Sequence, residues 1–225
     1  LSFFSELMPP QLDFLLPDSN YVTLPPLRDK NPNIYVDWLI EAFNIWYDEY
    51  PELNLRLFDG LIGVIAGLPS QTDAFGLGDV SLLTIETDGF YHDLDVLKIT
   101  EDGFSSLGLH IQDSSIQDAI SSTKIQAHRK LLTLEGLSDK CKACPEVKIC
   151  GGGSVPHRYN TNGFNNPTIY CREMLALISH IRRRLVETVS LSTQKKKAFP
   201  VAGFEALNVV SYERAHFGNL DLELK

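Results

Sequence analysis

The chain is poor in sulfur. Its 225 residues include four cysteines and two methionines, and no cysteine precedes Cys141. No apolar run approaches the roughly 20 residues that a membrane helix needs, and the first residues lack the basic flank and cleavage site of a signal peptide. The expectation is a soluble, cytoplasmic protein with no membrane partner, a compartment where four cysteines are not expected as disulfides. Positive charge is scarce in the front of the chain. Residues 1–140 hold 22 acids against 8 Lys and Arg, within a net charge of −9. Phosphate contacts dominate nucleic-acid affinity, so this balance excludes a general nucleic-acid binder. It tolerates a basic peptide, although a solvated acidic surface is the preferred explanation. Internal repeats are absent too, which excludes a solenoid.

What is present suffices for a core: 44% of the residues are hydrophobic, enough for one large domain or two small ones. The opening Leu-Ser-Phe-Phe-Ser-Glu-Leu reads as the middle of an amphipathic helix, and Met8 precedes two prolines. The expectation is a C-terminal piece of a longer protein. Residues 12–16 read as a short buried strand. Asn31 looks like an N-cap with Pro32 at the first helical position. Ile34, Trp38, Leu39, Ala42, Phe43 and Trp46 then recur at helical spacing over 32–49, with both indoles assigned to the core. Leu53, Leu55 and Leu57 alternate as in a strand, and 60–68 reads as a helix packed on it. Strand, helix, strand, helix is the order of an α/β sheet with parallel strands. The small, polar residues 69–79 mark a boundary. Beyond them Val80–Thr87 and Tyr91–Leu94 read as a hairpin about Asp88-Gly89. Ser114 or Ser115 caps a short helix near Ile116–Ile120, and Met174 to Leu185 is a clear amphipathic helix.

The chemistry concentrates in Cys141-Lys-Ala-Cys144-Pro-Glu-Val-Lys-Ile-Cys150, a C-x2-C-x5-C run, followed after twenty residues by Cys171. Four thiolates complete either a tetrahedral zinc site or a cubane iron–sulfur cluster. Zinc sites of this type usually show two C-x2-C knuckles, and only one is present. Proline after Cys144 and the glycines Gly151, Gly152 and Gly153 after Cys150 tilt the reading toward iron–sulfur. Glycine lets backbone amides approach inorganic sulfide. Spacing alone leaves both metals open.

The stretch from Cys141 to Cys171, with Cys-Gly-Gly-Gly-Ser-Val-Pro-His-Arg-Tyr and Gly-Phe-Asn-Asn-Pro-Thr-Ile-Tyr-Cys, resembles the SPASM domain of radical SAM peptide maturases. The resemblance spans 10–187, more loosely in the earlier part through Leu-Leu-Pro-Asp-Ser-Asn-Tyr, Trp38, Trp46 and Thr-Asp-Gly. It implies an α/β protein: the last strand–helix units of a partial (β/α)6 barrel at 1–70, a small α+β auxiliary-cluster domain at 71–187, and an unassigned tail at 188–225. It implies one auxiliary 4Fe–4S cluster on Cys141, Cys144, Cys150 and Cys171. In the family pattern a further core cysteine and three upstream ones hold a second auxiliary cluster. Ser154 and the empty stretch before Cys141 depart from that, so the second auxiliary cluster is expected to be absent. The family cleaves S-adenosylmethionine at another 4Fe–4S cluster on a C-x3-C-x2-C motif, which this sequence lacks. That motif and S-adenosylmethionine are expected on an upstream part. The implied partners are a peptide or protein substrate and an electron donor such as a ferredoxin or flavodoxin. A stand-alone electron carrier or peptide-recognition subunit, and a zinc-stabilised interaction domain, are the alternatives.

Other residues carry weaker signals. The Gly151–Gly153 amides, His157 and Arg158 are candidates to support the cluster from behind its ligands. Asp18 and Arg56, at or near predicted strand ends, are candidates for the substrate or S-adenosylmethionine side. Asp88, His92, Asp93 and Asp95 read as a solvated hairpin rather than as a metal site.

Overall fold

The computed structural model describes residues 1–80 and 82–196, with side chains as far as 190; the tail from 197 lies outside the described residues. Helix α1 (Ser2–Leu7) buries none of its residues. Helix α2 (Ile34–Glu49) starts slightly later than the prolines suggest. Asn31 accepts the Asn33 amide at 2.9 Å, which folds 31–33 into a turn and leaves Asn33 at the N-cap. The helix buries Leu39, Phe43 and Trp46. Trp38, expected beside Trp46 in the core, is 49% exposed and packs edge-on against Phe14. Eight residues carry a helix about 80° past two full turns, so the two indoles do not share a face.

The strands expected at 12–16 and 53–58 do not form. A single parallel bridge joins Leu12 to Leu55. The alternation at Leu53, Leu55 and Leu57 is interrupted because helix α3 (Arg56–Ile65) begins inside it, burying Phe58 and Leu61 at helical spacing. Asp59 reaches back to accept the Leu55 amide at 2.8 Å and so holds the helix start. Burial pushes the Asp59 carboxyl up, against the pull of that amide. Phe43, Trp46 and Phe58 then pack with ring centroids 5.3 to 5.8 Å apart. The Trp46 indole donates to Leu53 O at 2.8 Å.

The expected hairpin is present but short. Strand β1 (Thr84–Ile85) pairs antiparallel with β2 (Phe90–His92), Thr84 opposite His92 and Ile85 opposite Tyr91. Gly89 turns the chain at φ 85°, where a side chain is disfavoured. A third strand, β3 (Ser106–His110), pairs with β2 and was not legible in Ser-Leu-Gly-Leu-His. Helix α4 (Ile116–Ile120) begins at Ser115 in a capping box with Asp118, as expected. Helix α5 (Thr123–Leu131) is capped by Ser122 and packs on α4. Asp93 is no part of a solvated surface: it is 4% exposed and pairs with the buried His128 at 2.9 Å. Leu97, Leu132 and Val155, with Leu94, Phe104 and Phe164 against them, form a hydrophobic core cluster. Among the described residues no helix is long and apolar enough to cross a membrane.

Candidate metal centre

Each cysteine is presented by a short element whose local chemistry is legible. Helix α6 (Asp139–Lys142) is one turn long; Ser138 caps it by accepting the Cys141 amide. Cys144 N–H donates to Cys141 O at 3.0 Å, so C-x2-C closes a tight turn. Helix α7 (Val147–Cys150) ends in Cys150, and Gly151 caps it in the left-handed conformation at φ 60°. Helix α8 (Cys171–Lys196) begins with the fourth cysteine. It runs well past the expected end near Leu185.

These elements bring the four cysteines onto one pocket of about 440 Å³, counting its open mouth. Val147, Pro167, Thr168 and Leu175 make much of the wall, and Lys140 stands at it. Cys141 and Cys150 are buried, Cys144 and Cys171 half-buried, and none of the four is in a disulfide. Among the described residues no three His, Cys, Asp or Glu side chains are gathered about one point as a single ion requires. The four cysteines share one pocket lining.

The electrostatics show what such a pocket lacks by itself. Burial pushes the Cys150 thiol up to about 12, with Cys171, Cys141 and Cys144 adding to the rise and the Gly152 amide opposing it. Burial also raises Cys171; Lys140 acts against that, while Cys141, Cys144 and Glu173 add to it. Thiols this close resist ionising together unless a cationic group joins them, and a bound metal reverses that logic.

The three glycines divide the labour. The Gly152 amide is the one that acts on the Cys150 thiol, lowering it against the rise from burial. Gly151 and Gly153 instead donate to Val147 O (2.8 Å) and Cys150 O (2.9 Å), so their amides are not free for the sulfurs. A side chain at Gly151 would start 1.8 Å from Gly76 O, because the segment 69–79 packs directly on this turn. Arg158 is 1% exposed and donates to Gly153 O (3.1 Å) and Leu131 O (2.9 Å). His157 lies 5.0 Å from the Tyr170 ring, and burial pushes its imidazole down to about 4. Ser154 is buried but does not line the pocket.

Asp18 and Arg56 do not line it either. Asp18 is exposed on a bend, and Arg56, at the start of α3 rather than on a strand, pairs with Asp13. Between them lies what sequence reasoning missed. Tyr21 donates its amide to Tyr159 O (3.0 Å) and its hydroxyl to Pro167 O (3.1 Å), and Tyr170 donates to Pro17 O (2.8 Å). Segment 17–21 is thereby clamped to the cysteine region. The Tyr21 phenol is raised by burial first, then by Cys171 and Cys141, which places it within their electrostatic reach. Arg28 pairs with the buried Glu173 at 2.7 Å and lies 5.0 Å over the Tyr170 ring. The only local hint was that Tyr21 closes the Leu-Leu-Pro-Asp-Ser-Asn-Tyr stretch.

No family model matches this chain, and no curated protein does. Solved structures do, and the likeness is one of fold, a mixed helix and strand arrangement. One is native anSMEcpe with bound AdoMet, at a TM-score of 0.65 and 20% identity over 84% of this chain and 52% of that one. Another is native anSMEcpe with bound AdoMet and the Cp18Cys peptide, at a TM-score of 0.63 and 21% identity over 84% and 52%. The chain thus spans about half the length of the structures it matches.

Proposed function

We propose that the chain is the C-terminal portion of a radical SAM enzyme that modifies a ribosomally made peptide or protein by crosslinking or oxidation. In this reading residues 1–70 end a partial barrel, 71–187 form a SPASM-like domain, and Cys141, Cys144, Cys150 and Cys171 hold one auxiliary 4Fe–4S cluster. S-adenosylmethionine and the cluster that cleaves it belong to a part not in this sequence. The observation that carries the reading is the single pocket lined by all four cysteines, none of them in a disulfide. The bound peptides and AdoMet of the anSMEcpe structures support the substrate class by analogy of fold.

The residues present fit such a group. Four thiolates complete its ligation and leave no open iron, so the peptide is not bound at it. A bound cluster supplies a one-electron couple, here for exchange with a donor or acceptor such as a ferredoxin or flavodoxin. The chain's own part is to present the four thiols and to wall the site with Val147, Pro167 and Leu175.

Anaerobic purification followed by iron, zinc and acid-labile sulfide analysis tests this. About four irons and four sulfides per chain are expected; stoichiometric zinc without sulfide overturns it.

A further inference from the structure

Among the described residues the buried guanidinium of Arg158 has no anionic side-chain partner. Among the described residues both of its hydrogen-bond acceptors are carbonyl oxygens, Gly153 O and Leu131 O. Carbonyls satisfy its N–H groups but do not neutralise it, and an uncompensated buried charge is strongly destabilising. Its position shows where the compensation lies. The guanidinium carbon sits 3.5 Å from the point where a Gly152 side chain would begin, directly behind the glycine that walls the cysteine pocket. Burial lowers its pKa to about 10, and the charges acting against that shift are Cys141 and Cys150.

We propose that Arg158 is a positioning residue whose fixed positive charge raises the reduction potential of the cluster held by Cys141, Cys144, Cys150 and Cys171. This rests on the cluster reading given above. Four thiolates on a 4Fe–4S core give a net negative group, and one electron from an external reductant adds one further negative charge. A cation held nearby at low dielectric stabilises the reduced member more than the oxidised one, so the midpoint rises. Because the charge is buried, salt screens it little. Its two carbonyl bonds also tie the glycine turn to Leu131, which keeps that charge at a constant distance from the sulfurs.

The test uses the full chain purified anaerobically, with metal and sulfide counted before an EPR-monitored titration against dithionite. Arg158→Gln, which removes the charge, should lower the midpoint. Arg158→Lys, which keeps it, should stay near the wild-type value. A Gln variant with a full cluster and an unchanged midpoint overturns the proposal. Loss of iron from both variants also overturns it, since that assigns Arg158 to the scaffold alone. Loss from the Gln variant only, with the Lys variant at the wild-type midpoint, supports a requirement for charge. Zinc without sulfide in the wild-type chain refutes the cluster reading itself, and the metal analysis detects that separately.

Discussion

At the scale of single residues, the cysteine pocket makes unequal demands on its neighbours. Cys144 is a half-buried thiol on the pocket, so Cys144→Ala removes one of the four proposed ligands and should abolish the proposed cluster. Iron per chain measures this; unchanged iron would refute the assignment. Gly151 has both a positive φ of 60° and a carbonyl oxygen 1.8 Å from any added carbon. Gly151→Ala should therefore cost on the order of 3 kcal/mol or more, read as a shifted denaturation midpoint with an unchanged slope. His157 gives a pH dependence. Burial pushes it down to about 4 from 6.5, so between those values the unfolded chain binds a proton that the folded chain excludes. Stability present above pH 6.5 is lost as pH falls through that window. His157→Gln should flatten this part of the curve, and equal acid sensitivity in the two proteins would remove His157 as the cause. That the four cysteines belong together was legible from spacing, because thiols are few here and their chemistry is distinctive. Tyr21 and Arg158 were not assignable to their contacts, since those contacts depend on strands and loops far along the chain.

At the scale of elements, helices with a marked apolar face were readable, whereas of the strands only the short hairpin was. The spacing in α2 and the start of α8 is set by a local period, and the Ser115 box needs only four consecutive residues. The leucines at 53, 55 and 57 show the opposite case. Their alternation is genuine, yet the aromatic packing of Phe58 against Phe43 and Trp46 draws the chain into α3. Tertiary burial overrides a weak local period. Phe58 is fully buried, so Phe58→Ala should destabilise by about 3–5 kcal/mol, checked by denaturant unfolding. A loss below about 1 kcal/mol would mean that the cluster of rings is not what holds α2 on α3.

At the scale of the whole molecule, the cysteines lie on three separate elements, α6 with its following turn, α7 and α8. A group bound to all of them restrains those elements as well as serving chemistry, and binding free energy adds to folding free energy. Removing the metal by oxidation and chelation should lower Tm by roughly 10 °C. Equal melting of the metal-free and loaded chains would show that the pocket is held by packing alone. The clamp of Tyr21 and Tyr170, and the pair of Arg28 with Glu173, supply that packing from the front of the chain.

By itself the sequence determined the thiol set, the hairpin turn, the capping of short helices and the helical periods. Each depends on residues within about one turn, or on a side chain with few alternative uses. Only the tertiary structure decided which groups stand behind the thiols. Asp93 meets His128 across 35 positions, and Arg158 meets Leu131 across 27. Such pairings arise from desolvation: a charge taken out of water must find whatever partner the fold brings within reach. Sequence proximity does not reveal that partner.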